Sequence, residues 1–229
     1  TNNVAIGGNS VLNNLTTGGS NVAISRGAGQ TITTTSECIL IGADAGNLLN
    51  GTGPNGSIAI GKAALSVHTD GARNIAIGWE AMHDTNAGST SQGSNDNVFI
   101  GYSAGGGTWA DAASTHNVAI GNYAMDAALN GALHNTAVGY DTLTALTEGD
   151  GNTAIGYQSG DSITTSGYNS LLGYQAGGAL AGGSGTNVAI GYQPLYSGTA
   201  NSYVVAIGSR AGYYSTANNN VYVGANAGR

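Results

Sequence analysis

One cysteine, two prolines and a single phenylalanine are all that 229 residues contain of those types, and only 7% of the chain is charged. Each shortage excludes something. A lone Cys38 cannot close an intrachain disulfide, so no covalent framework supports the fold. The five cations Arg26, Lys62, Arg73, Arg210 and Arg229 form no cluster, and with a net charge of −7 the chain carries no basic footprint for nucleic acid. No apolar run reaches the roughly 18 residues that a membrane-spanning helix needs, so membrane insertion is not expected. The twelve acids fall singly from Glu37 to Asp161, with neither a Walker loop nor a His-Glu-x-x-His pair around them. No catalytic residues, no cofactor and no enzymatic activity are therefore expected. The shortage of proline and charge is matched by an excess of glycine, 40 residues, together with abundant Asn, Ser and Thr. Such a composition suits polar disorder unless an apolar register runs through it.

That register is present. A cassette close to Asn-Val-Ala-Ile-Gly returns thirteen times, its last residue falling at 7, 25, 42, 61, 78, 101, 121, 139, 156, 173, 191, 208 and 224, a glycine in every copy except Ser25. The spacing keeps a floor near 17 residues and is padded in places, as in a stacked solenoid with insertions on its loops. Seventeen residues accommodate two short strands and two turns, or three very short strands, of which two are expected, and this much glycine argues against helical repeats. The chain is expected to be all-β, one parallel β-roll solenoid domain over residues 1–229 with about thirteen coils. Because it opens and closes in mid-repeat, it is further expected to be a piece of a longer fibre protein.

With the cassette's last residue as position zero, the columns separate by chemistry. Position −1 is aliphatic throughout: Ile6, Ile24, Ile41, Ile60, Ile77, Ile100, Ile120, Val138, Ile155, Leu172, Ile190, Ile207 and Val223. It shares a strand face with position −3, and the two are expected to form the core. Position −4 is Asn3, Asn21, Asn74, Asn97, Asn117, Asn135, Asn152, Asn169, Asn187 and Asn220, an expected amide ladder at a turn. Cys38 takes that place in one repeat. Small residues recur at −2 and +3, chiefly Ala, on what is expected to be the face opposite the core, where identical copies of the chain would approach. Position +4 is either Leu, Met or Val, or Gly, which suggests two ways of turning the corner.

Two columns carry candidate chemistry. Position +1 holds Trp79, Tyr102, Tyr140, Tyr157, Tyr174 and Tyr192, an aromatic stripe that qualifies as a glycan or surface-recognition platform. His116 and His134 both stand at −5 in consecutive repeats, a pair to be weighed as a metal site against two exposed turn residues. The longest insertion, Asp84 to Asp96, is the expected protruding loop.

The cassette is similar to the head repeat of YadA-like trimeric autotransporter adhesins, and Asn152-Thr153-Ala154-Ile155-Gly156-Tyr157-Gln158 and Asn187-Val188-Ala189-Ile190-Gly191-Tyr192-Gln193 resemble arrays of phage tail fibres. The resemblance covers essentially the whole chain. It implies a left-handed β-roll that trimerises side by side, outside the cell, on a virion tail fibre or a bacterial surface. There it would attach to a host glycan or protein. The repeat here is longer than the autotransporter head unit, which favours the tail-fibre branch. A filament subunit with no receptor is the alternative.

Overall fold

The computed structural model describes residues 2–49, 55–85, 93–182, 185–197 and 202–229. Two compact units make up the chain, residues 1–117 with 128–131, and residues 118–127 with 132–229. Both are parallel β-solenoids, and no α-helix occurs among the described residues. The first unit holds β1 (Val4–Ile6), β2 (Val22–Ile24), β3 (Ile39–Ile41), β4 (Ile58–Ile60), β5 (Ile75–Ile77) and β6 (Val98–Ile100). The second holds β7 (Val118–Ile120), β8 (Thr136–Val138), β9 (Thr153–Ile155), β10 (Ser170–Leu172), β11 (Val188–Ile190), β12 (Val205–Ile207) and β13 (Val221–Val223). Within each unit consecutive strands pair in parallel with the cassettes in register, for example Ala154 opposite Leu171 and Ile155 opposite Leu172. Most of the insertion between Asp84 and Asp96 lies outside the described residues.

Each cassette forms one strand of three residues, and the second strand expected in each coil is replaced by turns. So short a strand needs sharp corners on both sides, and the backbone supplies them at four places in most coils. In the tenth coil these are Tyr168 (φ +58°), Gly173 (+134°), Gln175 (+51°) and Gly177 (+68°), at positions −5, 0, +2 and +4. Glycine is a conformational requirement at position zero, where φ in the glycine copies lies between +117° and +144°, whereas the left-handed corners at −5, +2 and +4 are filled in many coils by other residues. Ser25, the one residue other than glycine at position zero, has φ +102°.

The strand faces lie opposite to the sequence expectation. Position −2 is the inside of the coil: Ala23, Leu40, Ala59, Ala76 and Phe99 in the first unit, and Ala119, Ala137, Ala154, Ala189 and Ala206 in the second, are completely buried. The +3 alanines, such as Ala28, Ala64, Ala124 and Ala176, are buried with them. The −1 column expected to form the core, from Ile6 to Val223, points outward, with Ile120, Ile155, Leu172, Ile190 and Ile207 between 36% and 48% exposed. Alternation assigns −1 and −3 to one face but does not say which face is inner when both are apolar. A coil of about 17 residues closes on an interior so narrow that alanine suits the strand wall and β-branched side chains are left outside. The alanine columns therefore pack within the chain and carry no signal for a neighbouring copy.

Position +4 is likewise a matter of volume. Leu65, Met82, Met125, Leu143 and Leu195 there are fully buried at φ +47° to +51°, the same left-handed region as Gly29, Gly46, Gly105 and Gly160. One corner conformation serves both kinds of coil. Where +4 is Gly, the large residue moves to −2 of that coil or of an adjacent one: a methyl on Gly46 would meet Leu40, on Gly105 Phe99, on Gly177 Leu171, and on Gly228 Tyr222. No coil carries a large side chain at both places. Ala76→Leu, beside Met82, is therefore expected to overpack the fifth coil and cost about 1–3 kcal/mol. Adding Met82→Gly is expected to recover most of that loss, as a double-mutant cycle in denaturant would show.

Candidate functional site

The chain's polar chemistry is organised as ladders along the solenoid. In the asparagine ladder Asn152, fully buried, donates its backbone N–H (2.8 Å) and its Nδ2 (3.0 Å) to Asn135 Oδ1, and donates Nδ2 to the Ser166 carbonyl as well (3.0 Å). Its own Oδ1 accepts from the backbone and side chain of Asn169 at 3.1 and 2.8 Å. Asn187 repeats the pattern on Asn169, and in the first unit Asn97 does so on Asn74 and Asn117 on Asn97. Asn21 accepts from the backbone of Cys38, where the amide series breaks, and burial pushes that thiol up from its ordinary range. Asn3 accepts from Asn21, and Asn220 bonds locally to Ala217. These amides are a buried scaffold.

The aromatic column stands at the corner just beyond the strands. In the second unit Tyr140, Tyr157, Tyr174 and Tyr192 stack at centroid separations of 5.6, 5.2 and 5.3 Å with planes within 10° of parallel. They are 43% to 45% exposed. At one end Tyr123 meets Tyr140 edge-on at 5.8 Å, and at the other the Arg210 guanidinium lies 5.8 Å from the Tyr192 ring. The faces are turned to one another, so what meets solvent is a row of ring edges and hydroxyls. In the first unit Trp79 and Tyr102 meet at 65°, and Lys62 Nζ sits 4.5 Å from the indole ring. Beside the tyrosines runs a second ladder that column reading did not single out: Gln193 Nε2 donates to Gln175 Oε1 (2.7 Å), Gln175 to Gln158 (2.9 Å), and Gln158 to Asp141 (3.4 Å). The Tyr-Gln dipeptide repeated at the cassette's exit is the sequence signal for it.

His116 and His134 both adopt φ +59°, and they lie in different units. The His116 ring bonds Thr115 Oγ1 at 3.0 Å and stands 3.8 Å from Asp96, whose carboxylate is already held by Arg73 at 2.6 and 2.8 Å. That Arg73 contact, through a charge-assisted hydrogen bond, keeps the Asp96 carboxyl below its usual range. Among the described residues no three His, Cys, Asp or Glu side chains gather as a metal site would require. Gly101-Tyr102-Ser103-Ala104-Gly105 has the spelling of a nucleophile elbow, which turns from a strand into a helix. Here Ser103 (φ +48°) sits on the same corner as Gln158 and Gln175, with no helix after it.

Besides the Cys38 thiol, the core holds a histidine. His68 occupies position +7, where other coils place Ile32, Leu49, Leu146, Ile163 or Leu180, and it is fully buried. Its Nδ1 lies 2.7 Å from Thr85 Oγ1 and its Nε2 3.1 Å from the Gly71 carbonyl. A neutral ring that donates from Nε2 and accepts at Nδ1 satisfies both, while Asn74 Nδ2, 3.2 Å from Nε2, donates to the Ser94 carbonyl at 2.9 Å. Burial lowers its pKa to about 4. The unfolded chain protonates near pH 6.5 while the folded chain does not, so stability is complete above pH 6.5 and falls as pH drops toward 4. The expected loss over that window is about 3 kcal/mol. The double variant His68→Leu/Thr85→Val, which restores an apolar column, should remove this share of the acid sensitivity in melts recorded from pH 7 to pH 4.

The fold and its surface define a parallel β-solenoid whose corners carry side-chain ladders in register. No protein family, curated protein or solved structure matches the chain.

Proposed function

We propose that the chain is a non-enzymatic segment of an attachment fibre, in which three copies lie side by side as left-handed β-rolls. The observation that carries this reading is the outward Val/Ile face. In the second unit β7 to β13 each present two outward side chains, all aliphatic except Thr136, Thr153 and Ser170, and including Ile155 (40% exposed), Leu172 (48%) and Ile190 (36%). A strip of this kind is on the order of several hundred Å², close to the roughly 800 Å² that one partner contributes to a stable interface. A polar partner would leave it unmatched, whereas a second copy brings the same strip with the same spacing. The resemblance to trimeric adhesin heads and tail fibres supplies the number three and the location outside the cell, on a virion or a bacterial surface. Trp79 and Tyr102 in the first unit, and the four stacked tyrosines in the second, are each offered to a host glycan or protein. Contact there goes through ring edges and hydroxyls, and three copies multiply a weak contact into avidity.

Light scattering tests the assembly. Three times the monomer mass of 22.5 kDa is expected in native buffer. The double variant Ile155→Asp/Ile190→Asp is expected to sediment as a monomer with an unchanged β spectrum. A wild-type chain at 22.5 kDa would overturn the proposal. Changing Tyr157, Tyr174 and Tyr192 to Ser is expected to abolish surface binding while leaving the assembly intact.

A further inference from the structure

A stack of phenols is also a reactive object. Tyr140, Tyr157, Tyr174 and Tyr192 lie face to face at 5.2 to 5.6 Å, each more than two-fifths exposed. Their backbones are fixed in register, because Gln158, Gln175 and Gln193 donate their N–H groups to the carbonyls of Tyr140, Tyr157 and Tyr174 at 2.9 Å. The glutamine ladder beside them holds the spacing. We propose that this stack is a site of oxidative cross-linking, in which adjacent coils of one chain are joined by dityrosine bonds.

The chemistry balances with a peroxide oxidant acting through a haem peroxidase. Two one-electron oxidations remove an electron and a proton from each of two neighbouring phenols, and hydrogen peroxide takes up those two electrons and two protons to give two waters. The phenoxyl radicals share spin onto their ortho carbons. Because a new carbon–carbon bond between such radicals forms through the ring faces, the parallel stack presents the reacting carbons in the right sense. Each bonded carbon then passes its hydrogen to the phenolic oxygen by tautomerisation, and both rings regain aromaticity as they swing toward solvent. The product has lost two hydrogens. Each link joins residues 17 or 18 apart and so closes one coil covalently, which a chain with one cysteine cannot do by disulfide.

The experiment treats the folded, assembled protein with horseradish-type peroxidase and hydrogen peroxide, then maps dityrosine peptides by mass spectrometry and separates the chains on a denaturing gel. Links 140–157, 157–174 and 174–192 are expected within the monomer band, together with a higher melting midpoint. Tyr168 and Tyr203, at 66% and 57% exposure, are more accessible but sit two coils apart, so they serve as internal controls and should remain uncoupled. Tyr174→Phe keeps the ring and removes the phenol, and it should leave only the 140–157 link. Coupling led by Tyr168 or Tyr203, links found mainly between chains, an unchanged pattern in Tyr174→Phe, or no dityrosine at all would each overturn the proposal. The number of copies in the assembly is read separately, by light scattering before the oxidant is added.

Discussion

Gly173→Ala is expected to lower the unfolding free energy by about 4 kcal/mol or more, with Gly224→Ala, the same substitution at the last cassette, costing about 1–2 kcal/mol. Both glycines have positive φ, +134° and +117°, so both variants carry backbone strain. They differ in what the new methyl meets. At Gly173 it would overlap the carbonyl oxygen of Gly191 and lie 2.8 Å from that carbonyl carbon, while at Gly224 nothing lies within 4 Å. Backbone cannot yield as a side-chain end can, since each glycine N–H is bonded to the −1 carbonyl of the preceding coil, at 2.8 Å from Gly173 to Ile155 and 2.9 Å from Gly191 to Leu172. The position is one where another backbone approaches too closely for any Cβ. Chemical denaturation of the two variants separates conformational strain from steric overlap. Equal losses would mean that overlap contributes nothing and that the coils part freely.

Asn152→Ala is expected to cost about 3–5 kcal/mol, because it removes no core volume to speak of yet orphans several buried polar groups. Asn135 Oδ1 keeps the backbone N–H of residue 152 but loses Nδ2, the Ser166 carbonyl loses one donor, and the backbone N–H and Nδ2 of Asn169 both lose their acceptor. Each such group unsatisfied in a dry interior costs on the order of 1–3 kcal/mol. Asn220→Ala, at a half-buried position with one local bond to Ala217, should cost under about 1 kcal/mol. Amide exchange in the second unit gives the sharper reading, since protection should collapse first in the coils on either side of residue 152.

The strand register was legible in the chain because both of its determinants are chemical constants. Glycine marks the corner at position zero and asparagine marks the turn at −4, so thirteen strands fall where the cassettes do. Which face is inner was not legible from periodicity, because Val, Ile and Ala are all apolar and only the width of the coil decides between them. Leu40, Phe99, Leu171 and Tyr222 held the clue: large residues interrupting the Ala column are each accompanied by Gly at +4, a volume exchange that makes sense only inside a closed space. The aromatic column was legible as a column, but the direction its ring faces take was not, since that depends on side-chain torsions which the repeat does not encode. His68 stood out of reach for a different reason. It has no counterpart in neighbouring coils, and only its place among Leu and Ile at +7 marks it as interior.

The amide ladders have an electrical sense. In the second unit Asn152, Asn169 and Asn187, and likewise Gln175 and Gln193, each give a side-chain N–H to the amide oxygen of the coil before, so these amide dipoles add head to tail. The sum resembles the macrodipole of an α-helix, with its positive end toward the earlier coils and its negative end toward the later ones. Position +2 matches this with charge. Asp141 accepts from Gln158 at the positive end, and Arg210 occupies the coil after Gln193 at the negative end. Such a unit has a defined polarity even where its coils look interchangeable, and extending it by one more Tyr-Gln coil between those two charges would leave both termini of the dipole correctly neutralised.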